Sequence, residues 1–121
     1  MQSDTSIIFA RCHEQHFAVS RVNPHTQACE DIVPPCIDRR YADFDPHPSD
    51  SSLILAVEEE HAPKDVYNRL VCLSESRVHT LHQGHSFYAY PRISPCGSFV
   101  AWVTWDHPSM PFWSSQLWVA S

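Results

Sequence analysis

Glycine is scarce in this chain: only 2 of its 121 residues are glycine, and these two, Gly84 and Gly97, are thirteen positions apart. A nucleophile elbow of the form Gly-x-Ser-x-Gly and a phosphate-binding loop both need closely spaced glycines, so neither can be built here. The sequence therefore offers no catalytic centre and no cofactor-binding motif. We expect the chain on its own to be inactive as an enzyme.

Basic residues are also few. The chain has 8 basic and 14 acidic residues, with a formal net charge of −6, and Lys64 is its single lysine. No basic run is longer than Arg39-Arg40. Binding to a nucleic acid backbone needs a clustered positive charge, so nucleic acid is excluded as a predicted partner.

Long apolar stretches are missing as well. No apolar run approaches the roughly 20 residues that a membrane span requires, and Met1 to Ser6 lacks the charged-then-apolar layout of a signal peptide. We therefore expect no membrane association and a cytoplasmic location. In that compartment the 5 cysteines would remain thiols, and their odd number fits thiols better than a disulfide framework.

The cysteines and histidines could in principle bind a metal. The best cluster is Cys12-His13-x-x-His16 followed by Cys29 and Cys36. Structural zinc needs four ligands in closely spaced pairs, but six residues separate Cys29 from Cys36 and no second close pair exists. The spacing favours buried thiols and surface histidines, and we assign no metal ligand.

What the sequence does contain is a hidden repeat of 47 residues. The segment Tyr88–Ala120 aligns without a gap on Tyr41–Leu73, and Ile7–Ala10 begins a third, partial copy. Repeats of about 40 to 50 residues are typical of propeller blades or helical solenoids. The residue types must decide between these two architectures.

Those residue types favour strands. The β-branched and aromatic runs at 100–105 and 116–120 are typical of strands, and Pro95 with Gly97 predicts a turn before the first run. The segment Leu53–Glu60 could instead form a helix capped by Asp50. Its repeat equivalent at 100–105 has poor helix propensity, however, and equivalent segments must share one structure.

We therefore predict an all-β chain that forms a segment of a β-propeller. The segment would be one partial domain, 1–121, holding two to three four-stranded blades with pieces at 6–33, 41–81 and 88–120 and no catalytic domain. The first blade would lack its innermost strand and the last its outermost strand. Because a closed propeller needs at least about four blades, we expect self-association through the open blade edges.

Two acidic stretches suggest a binding rim. By the 47-residue offset, Glu59 corresponds to Asp106 and Glu60 to His107. We predict that the second strand of the middle blade runs from Leu53 to Glu58, so that both stretches lie where a second strand enters the loop before the third, on one rim of adjacent blades. One interpretation is a solvated acidic loop; the other is a site for a cation or amine formed by Glu59, Glu60, Asp106 and His107.

The last repeat also carries a family resemblance. The string from Trp105 to Pro111, Trp-Asp-His-Pro-Ser-Met-Pro, together with Phe87–Ser98 and Leu117–Ala120, resembles the β-propeller of prolyl-oligopeptidase-family serine peptidases, especially the dipeptidyl and acylaminoacyl peptidase branch. The broader Pro-Arg-x-Ser-Pro-x-Gly pattern is shared with TolB-like propellers. Two departures are Cys96 in place of the turn aspartate and 112–115 in place of a Trp-Asp-Gly-Thr turn.

The resemblance implies a function that the residues alone do not. In that family the catalytic serine, aspartate and histidine lie in an α/β-hydrolase domain, and the propeller screens and orients peptide substrates. In dipeptidyl-peptidase relatives, paired glutamates of the propeller bind the substrate amino group, within a different local motif. The chain would then be a non-catalytic gating segment whose partners are further blades, the hydrolase domain and a peptide.

Three alternatives remain open at this stage. The chain could be a stand-alone TolB-like binding scaffold, a truncated product without function, or a metal-dependent protein that uses the cluster from Cys12 to Cys36.

Overall fold

The computed structural model describes residues 6–121, which form ten strands and no helix. None of these residues therefore belongs to a helix that could cross a membrane. Most of the segment Met1–Ser6, on which the signal-peptide prediction rests, lies outside the described residues. The strands are β1 Ile7–His13, β2 His16–Val22, β3 Cys29–Cys36, β4 Arg39–Pro46, β5 Ile54–His61, β6 Val66–Ser74, β7 Arg77–Gln83, β8 Phe87–Ile93, β9 Val100–Trp105 and β10 Gln116–Ala120.

The strands form three antiparallel sheets in chain order: β1-β2-β3, then β4-β5-β6-β7, then β8-β9-β10. The middle sheet is a complete four-stranded blade and the outer two have three strands each. The all-β propeller prediction is therefore confirmed. The helical alternative for Leu53–Glu60 is wrong, because Ile54–His61 is strand β5 and is paired on both sides.

The 47-residue repeat is visible in the backbone itself. The β4–β5 ladder shifts register between Ala42 and Asp45, and the β8–β9 ladder shifts between Ala89 and Arg92. These are equivalent positions in consecutive repeats. A β-bulge bends its strand and increases the local twist, so both innermost strands deviate from a regular ladder at the same point.

The hydrophobic core consists of two layers, one on each side of the middle sheet. Ile54 and Ala56 of β5 pack in the layer shared with the first sheet, while Val57 packs with Tyr88 and Trp102 of the third sheet. Successive side chains of a strand point to opposite faces, so β5 contributes to both layers. The sheets are thus stacked face to face, as in adjacent propeller blades.

The stacking of the sheets brings one set of strand ends and their connecting turns together at one end of the stack. Antiparallel pairing brings the last residues of β5, β7 and β9 to the same end of the stack as the first residues of β6 and β8. This end, which we call the upper rim, carries the segments 62–65, 84–86 and 106–115. The predicted acidic stretches both lie here.

Candidate functional site

An open cleft of about 970 Å³ lies on the upper rim where the second sheet meets the third. Three of the four predicted site residues, Glu59, Asp106 and His107, line this cleft. Glu60 does not line it. The offset of 47 residues therefore places the equivalent carboxylates Glu59 and Asp106 around one opening.

Glu60 lies outside the cleft because its side chain is on the face of strand β5 opposite to that of Glu59. The predicted strand end at Glu58 is wrong, since β5 continues to His61. Side chains alternate along a strand, so Glu60 points to the face opposite Glu59. There it accepts hydrogen bonds from Arg69 Nη2 at 2.9 Å and Arg39 Nη2 at 3.2 Å. The hydrogen bond from Arg69 is the main cause of a lowered pKa for Glu60.

Glu58 anchors the same network from inside. Only 2% of Glu58 is exposed, and its carboxylate accepts hydrogen bonds from the Tyr41 hydroxyl at 2.8 Å and Arg69 Nη1 at 3.0 Å. Burial, and then the hydrogen bond to Glu58, raises the pKa of Tyr41 well above its ordinary value. Arg69 therefore makes charge-assisted hydrogen bonds to two carboxylates, Glu58 and Glu60.

The charge of the cleft follows from this arrangement. Histidine aside, Arg69 is the one basic side chain among residues 6–121 that lines the cleft, and its charge is balanced by Glu58 and Glu60. Glu59, Asp65 and Asp106 also line the cleft. Three carboxylates thus face a single guanidinium that is already paired, so the cleft presents net negative charge.

Asp65 is a site residue that sequence reasoning missed. It immediately precedes β6, its Oδ1 accepts a hydrogen bond from the backbone N–H of Val66 at 2.8 Å, and its own carbonyl accepts one from Ala62 at 2.9 Å. Its repeat equivalent is Phe112, so the comparison of repeats gave no reason to select it. The available signal was its position in a short turn beside the acidic stretch.

Asp106 connects two loops of the rim. Its Oδ1 accepts a hydrogen bond from the backbone N–H of Ser86 at 2.7 Å, and its Oδ2 is hydrogen-bonded to His85 Nδ1 at 2.9 Å. The His107 N–H donates to Ser86 Oγ at 3.2 Å. The hydrogen bond with His85 is the main cause of a lowered pKa for Asp106. His85 is not predictable from the sequence, because its pairing depends on how the two loops fold together.

The cleft also has an aromatic wall. Tyr67, about half exposed, and Phe87 both line it. Phe87 is stacked with Trp105 at 5.4 Å between ring centroids and is in edge contact with the His107 ring at 4.7 Å. The cleft therefore combines carboxylates with apolar rings, which suits an amine that carries an apolar side chain.

The cysteines are not gathered into a metal site. Cys12 and Cys36 both pair with Phe17 at one end of β2, whereas Cys29 pairs with Val22 at the other end. The part of the chain that the structure describes contains no group of three or more potential metal ligands.

Comparison of the structure with solved structures gives close matches over almost the whole chain. A puromycin-hydrolysing peptidase from Mycobacterium tuberculosis is matched with a TM-score of 0.81 and 26% identity, over 99% of this chain. A puromycin hydrolase is matched with a TM-score of 0.75 and 25% identity, over 95% of this chain. TolB from Acinetobacter baumannii is matched with a TM-score of 0.60 and 14% identity over 94%, which is a likeness of fold alone.

The chain spans only about a fifth of the two peptidase structures, 21% and 20% of their lengths. No protein-family profile and no curated protein matches the sequence. The structural matches cover all three sheets, and they agree with the resemblance carried by the Trp105–Pro111 string. The chain is thus a β-propeller segment of the kind found in the prolyl-oligopeptidase family of peptidases.

Proposed function

We propose that the upper-rim cleft binds the protonated amino group of a peptide or peptide-like amide and presents it to the α/β-hydrolase domain of a parent peptidase. The chain would contribute gating and orientation, and the hydrolase domain would contribute catalysis. The observation that carries this proposal is the charge of the cleft: Glu59, Asp65 and Asp106 surround an opening in which Arg69 is already paired.

Two further observations support an amine as the ligand. Ion pairs at such an exposed position contribute only about 1 kcal/mol or less each, so several carboxylates are needed to select a cation. The aromatic wall formed by Tyr67 and Phe87 adds apolar surface beside them. The peptidases that the chain resembles hydrolyse puromycin, and we infer that the parent of this chain also acts on amide substrates of small size.

The test is a binding comparison on the whole 121-residue chain. Phenylalanyl-alanine amide and its N-acetylated form would be titrated against the chain, with chemical-shift changes in two-dimensional NMR as the readout. We expect the free amine to bind in the cleft and the acetylated form to bind at least several-fold more weakly. Equal binding of the two peptides would contradict the proposal.

Charge-removing variants locate the binding. Glu59→Gln and Asp65→Asn should each weaken binding of the free amine about two- to fivefold, in line with one exposed ion pair. Glu30→Gln is the matched control, because Glu30 is exposed on β3 of the first sheet, away from the cleft. In a parent enzyme the same variants should raise KM for substrates with a free amino group and leave blocked substrates unaffected.

The alternative, a stand-alone TolB-like scaffold, draws its support from the fold likeness to TolB. It requires a protein partner and no amine selectivity. Loss of all discrimination between free and acetylated peptides would therefore favour it.

A further inference from the structure

Two of the three cleft carboxylates have a histidine partner. His85 Nδ1 is hydrogen-bonded to Asp106 Oδ2, and His61 Nε2 contacts Glu59 Oε1. Glu59 and Asp106 are equivalent positions of consecutive repeats, yet each acquires its histidine from a different place in the sequence. Asp65 differs, since its carboxylate accepts a hydrogen bond from the backbone of Val66.

We propose that cation binding in the cleft is coupled to the release of protons from His61 and His85, so that cations bind more weakly in mild acid. This inference rests on the proposed function, because it concerns regulation of the same cleft. When the two histidines are neutral, Glu59 and Asp106 are available to an incoming amine. When they are protonated, each carboxylate is already neutralised by its own imidazolium.

The surroundings of His85 determine how a proton can be accommodated. Its ring is stacked on His82 at 5.8 Å with an angle of 9°, and it also contacts Trp118 and Tyr88. His82 is hydrogen-bonded to the Tyr88 hydroxyl at 2.9 Å. Asp106 is the one carboxylate in hydrogen-bond contact with either ring among the described residues, so a positive charge on His85 is compensated. A second positive charge on His82 would have no such partner and would repel the charge on His85.

The remaining charged groups do not reverse this coupling. The other titratable side chains that line the cleft are Asp65, Tyr67, Arg69 and His107, and Arg40 lies opposite Glu59 in the β4–β5 ladder. Arg69 keeps its charge throughout the relevant range, and a proton on His107 would also disfavour a cation. Histidine is the side chain that ordinarily changes charge between pH 5 and 8.

A permanently charged probe separates this effect from titration of the ligand. N,N,N-trimethyl-phenylalanine amide has a charge that does not change with pH, and its binding to the full chain can be followed by NMR at pH 5.5, 6.5 and 7.5. We expect the affinity to fall about fivefold from pH 7.5 to 5.5, as expected for the loss of two exposed ion pairs.

The double variant His61→Gln, His85→Gln should bind the probe with a nearly constant affinity across this range. Each single variant should lose about half of the pH dependence, which keeps the test decisive if the double variant folds poorly. His79→Gln is the control, because His79 is exposed on β7 outside the cleft, and it should retain the full dependence. Binding with the same profile in wild type and double variant would overturn this inference alone. No binding at any pH would overturn the proposed function and this inference together.

Discussion

The backbone N–H of Tyr90 donates a hydrogen bond to the carboxylate of Asp43, 3.4 Å away, and these two residues occupy the same position in consecutive repeats. Both have a positive φ, 57° for Asp43 and 56° for Tyr90. The neighbouring Asp45 accepts a second hydrogen bond from the N–H of Ile93 at 2.7 Å. The bulge of β4 thus supplies the carboxylates that accept hydrogen bonds from the backbone around the bulge of β8.

This bulge leads to a first prediction about stability. A bulky side chain at positive φ is strained, whereas asparagine tolerates this region better. Tyr90→Asn should therefore raise the free energy of unfolding by about 0.5 kcal/mol, because Tyr90 is exposed and loses little packing. Tyr67→Asn, at another exposed tyrosine with ordinary backbone geometry, should lower it. Urea denaturation would measure both, and a destabilised Tyr90→Asn protein would show that the tyrosine ring has a packing role.

The second prediction concerns the turn between β8 and β9. Gly97 has φ of +77°, and a Cβ added there would lie 2.7 Å from two atoms of the His47 ring. Gly84 has φ of +113°, but a Cβ there would meet no atom within 4 Å. Both alanine variants should be destabilised by backbone strain of about 1 kcal/mol, and Gly97→Ala should lose about 1 kcal/mol more from the clash.

The two glycine variants would be compared by thermal and urea unfolding. Adding His47→Ala to Gly97→Ala removes the ring from the path of the new Cβ. If the clash is real, this second change should restore part of the lost stability. Equal destabilisation of the two glycine variants would mean that the ring moves aside at no cost.

The third prediction concerns the buried carboxylate of Glu58. Glu58→Ala leaves the Tyr41 hydroxyl and one side of the Arg69 guanidinium without a partner. Breaking a buried ion pair in this way typically costs about 3 kcal/mol or more, so unfolding at a much lower urea concentration is expected. Glu30→Ala, at an exposed glutamate, should change stability by less than about 0.5 kcal/mol. Similar small effects for both would indicate that water takes the place of the lost carboxylate.

The fourth prediction concerns the pH dependence of Cys96. Hydrogen bonds, first from Ser94 and then from Ser98, lower the pKa of the exposed Cys96 thiol to about 7. The reactive thiolate predominates above this pH and the thiol below it, so alkylation by iodoacetamide should reach half its maximal rate near pH 7. Burial instead raises the pKa of Cys72, so that thiol should react slowly at the same pH. Peptide mapping by mass spectrometry distinguishes the two, and a midpoint for Cys96 above pH 8.5 would contradict the prediction.

The fifth prediction concerns self-association. Leu117 and Val119 of β10 are 72% and 66% exposed, on the face of the third sheet that points away from Trp118 and the second sheet. An apolar sheet face of this kind favours contact with another chain. The chain should therefore form dimers or larger species in size-exclusion chromatography with light scattering.

Charged variants identify the contact face. Leu117→Lys with Val119→Lys should shift the chain toward the monomer. Ile37→Lys, at a 63% exposed residue between β3 and β4, should leave the distribution unchanged. A wild-type chain that stays monomeric at high concentration would contradict the prediction outright.

The sequence predicted the sheets well because the 47-residue repeat is preserved in residue type as well as in spacing. The sequence pattern ends the second strand too early, at Glu58, since three consecutive glutamates are typical of a loop. In the structure Arg39 lies opposite Glu60 and Arg69 lies opposite Glu58, and these cross-strand pairs allow the acidic run to continue the ladder. Charge pairing between strands cannot be read from one segment at a time.

The candidate site was predicted in part for a related reason. Glu59, Asp106 and His107 were found because they repeat, and equivalent strand ends meet on one rim. Asp65 and His85 lie in turns whose residues are not repeated, since their equivalents are Phe112 and Asp38, and their positions depend on how the segments 62–65 and 84–86 close. Non-repeated turns therefore supply the part of the site that the periodic pattern does not encode.

The alternation of β5 has a consequence for how this molecule unfolds. Because Ile54 and Ala56 belong to one core layer and Val57 to the other, unfolding of β5 removes contacts from both layers at once. We therefore expect the unfolding of the three blades to be coupled through β5. Units of a repeat protein contact only their neighbours, so the middle blade, which contacts both others, is the one whose unfolding exposes both interfaces.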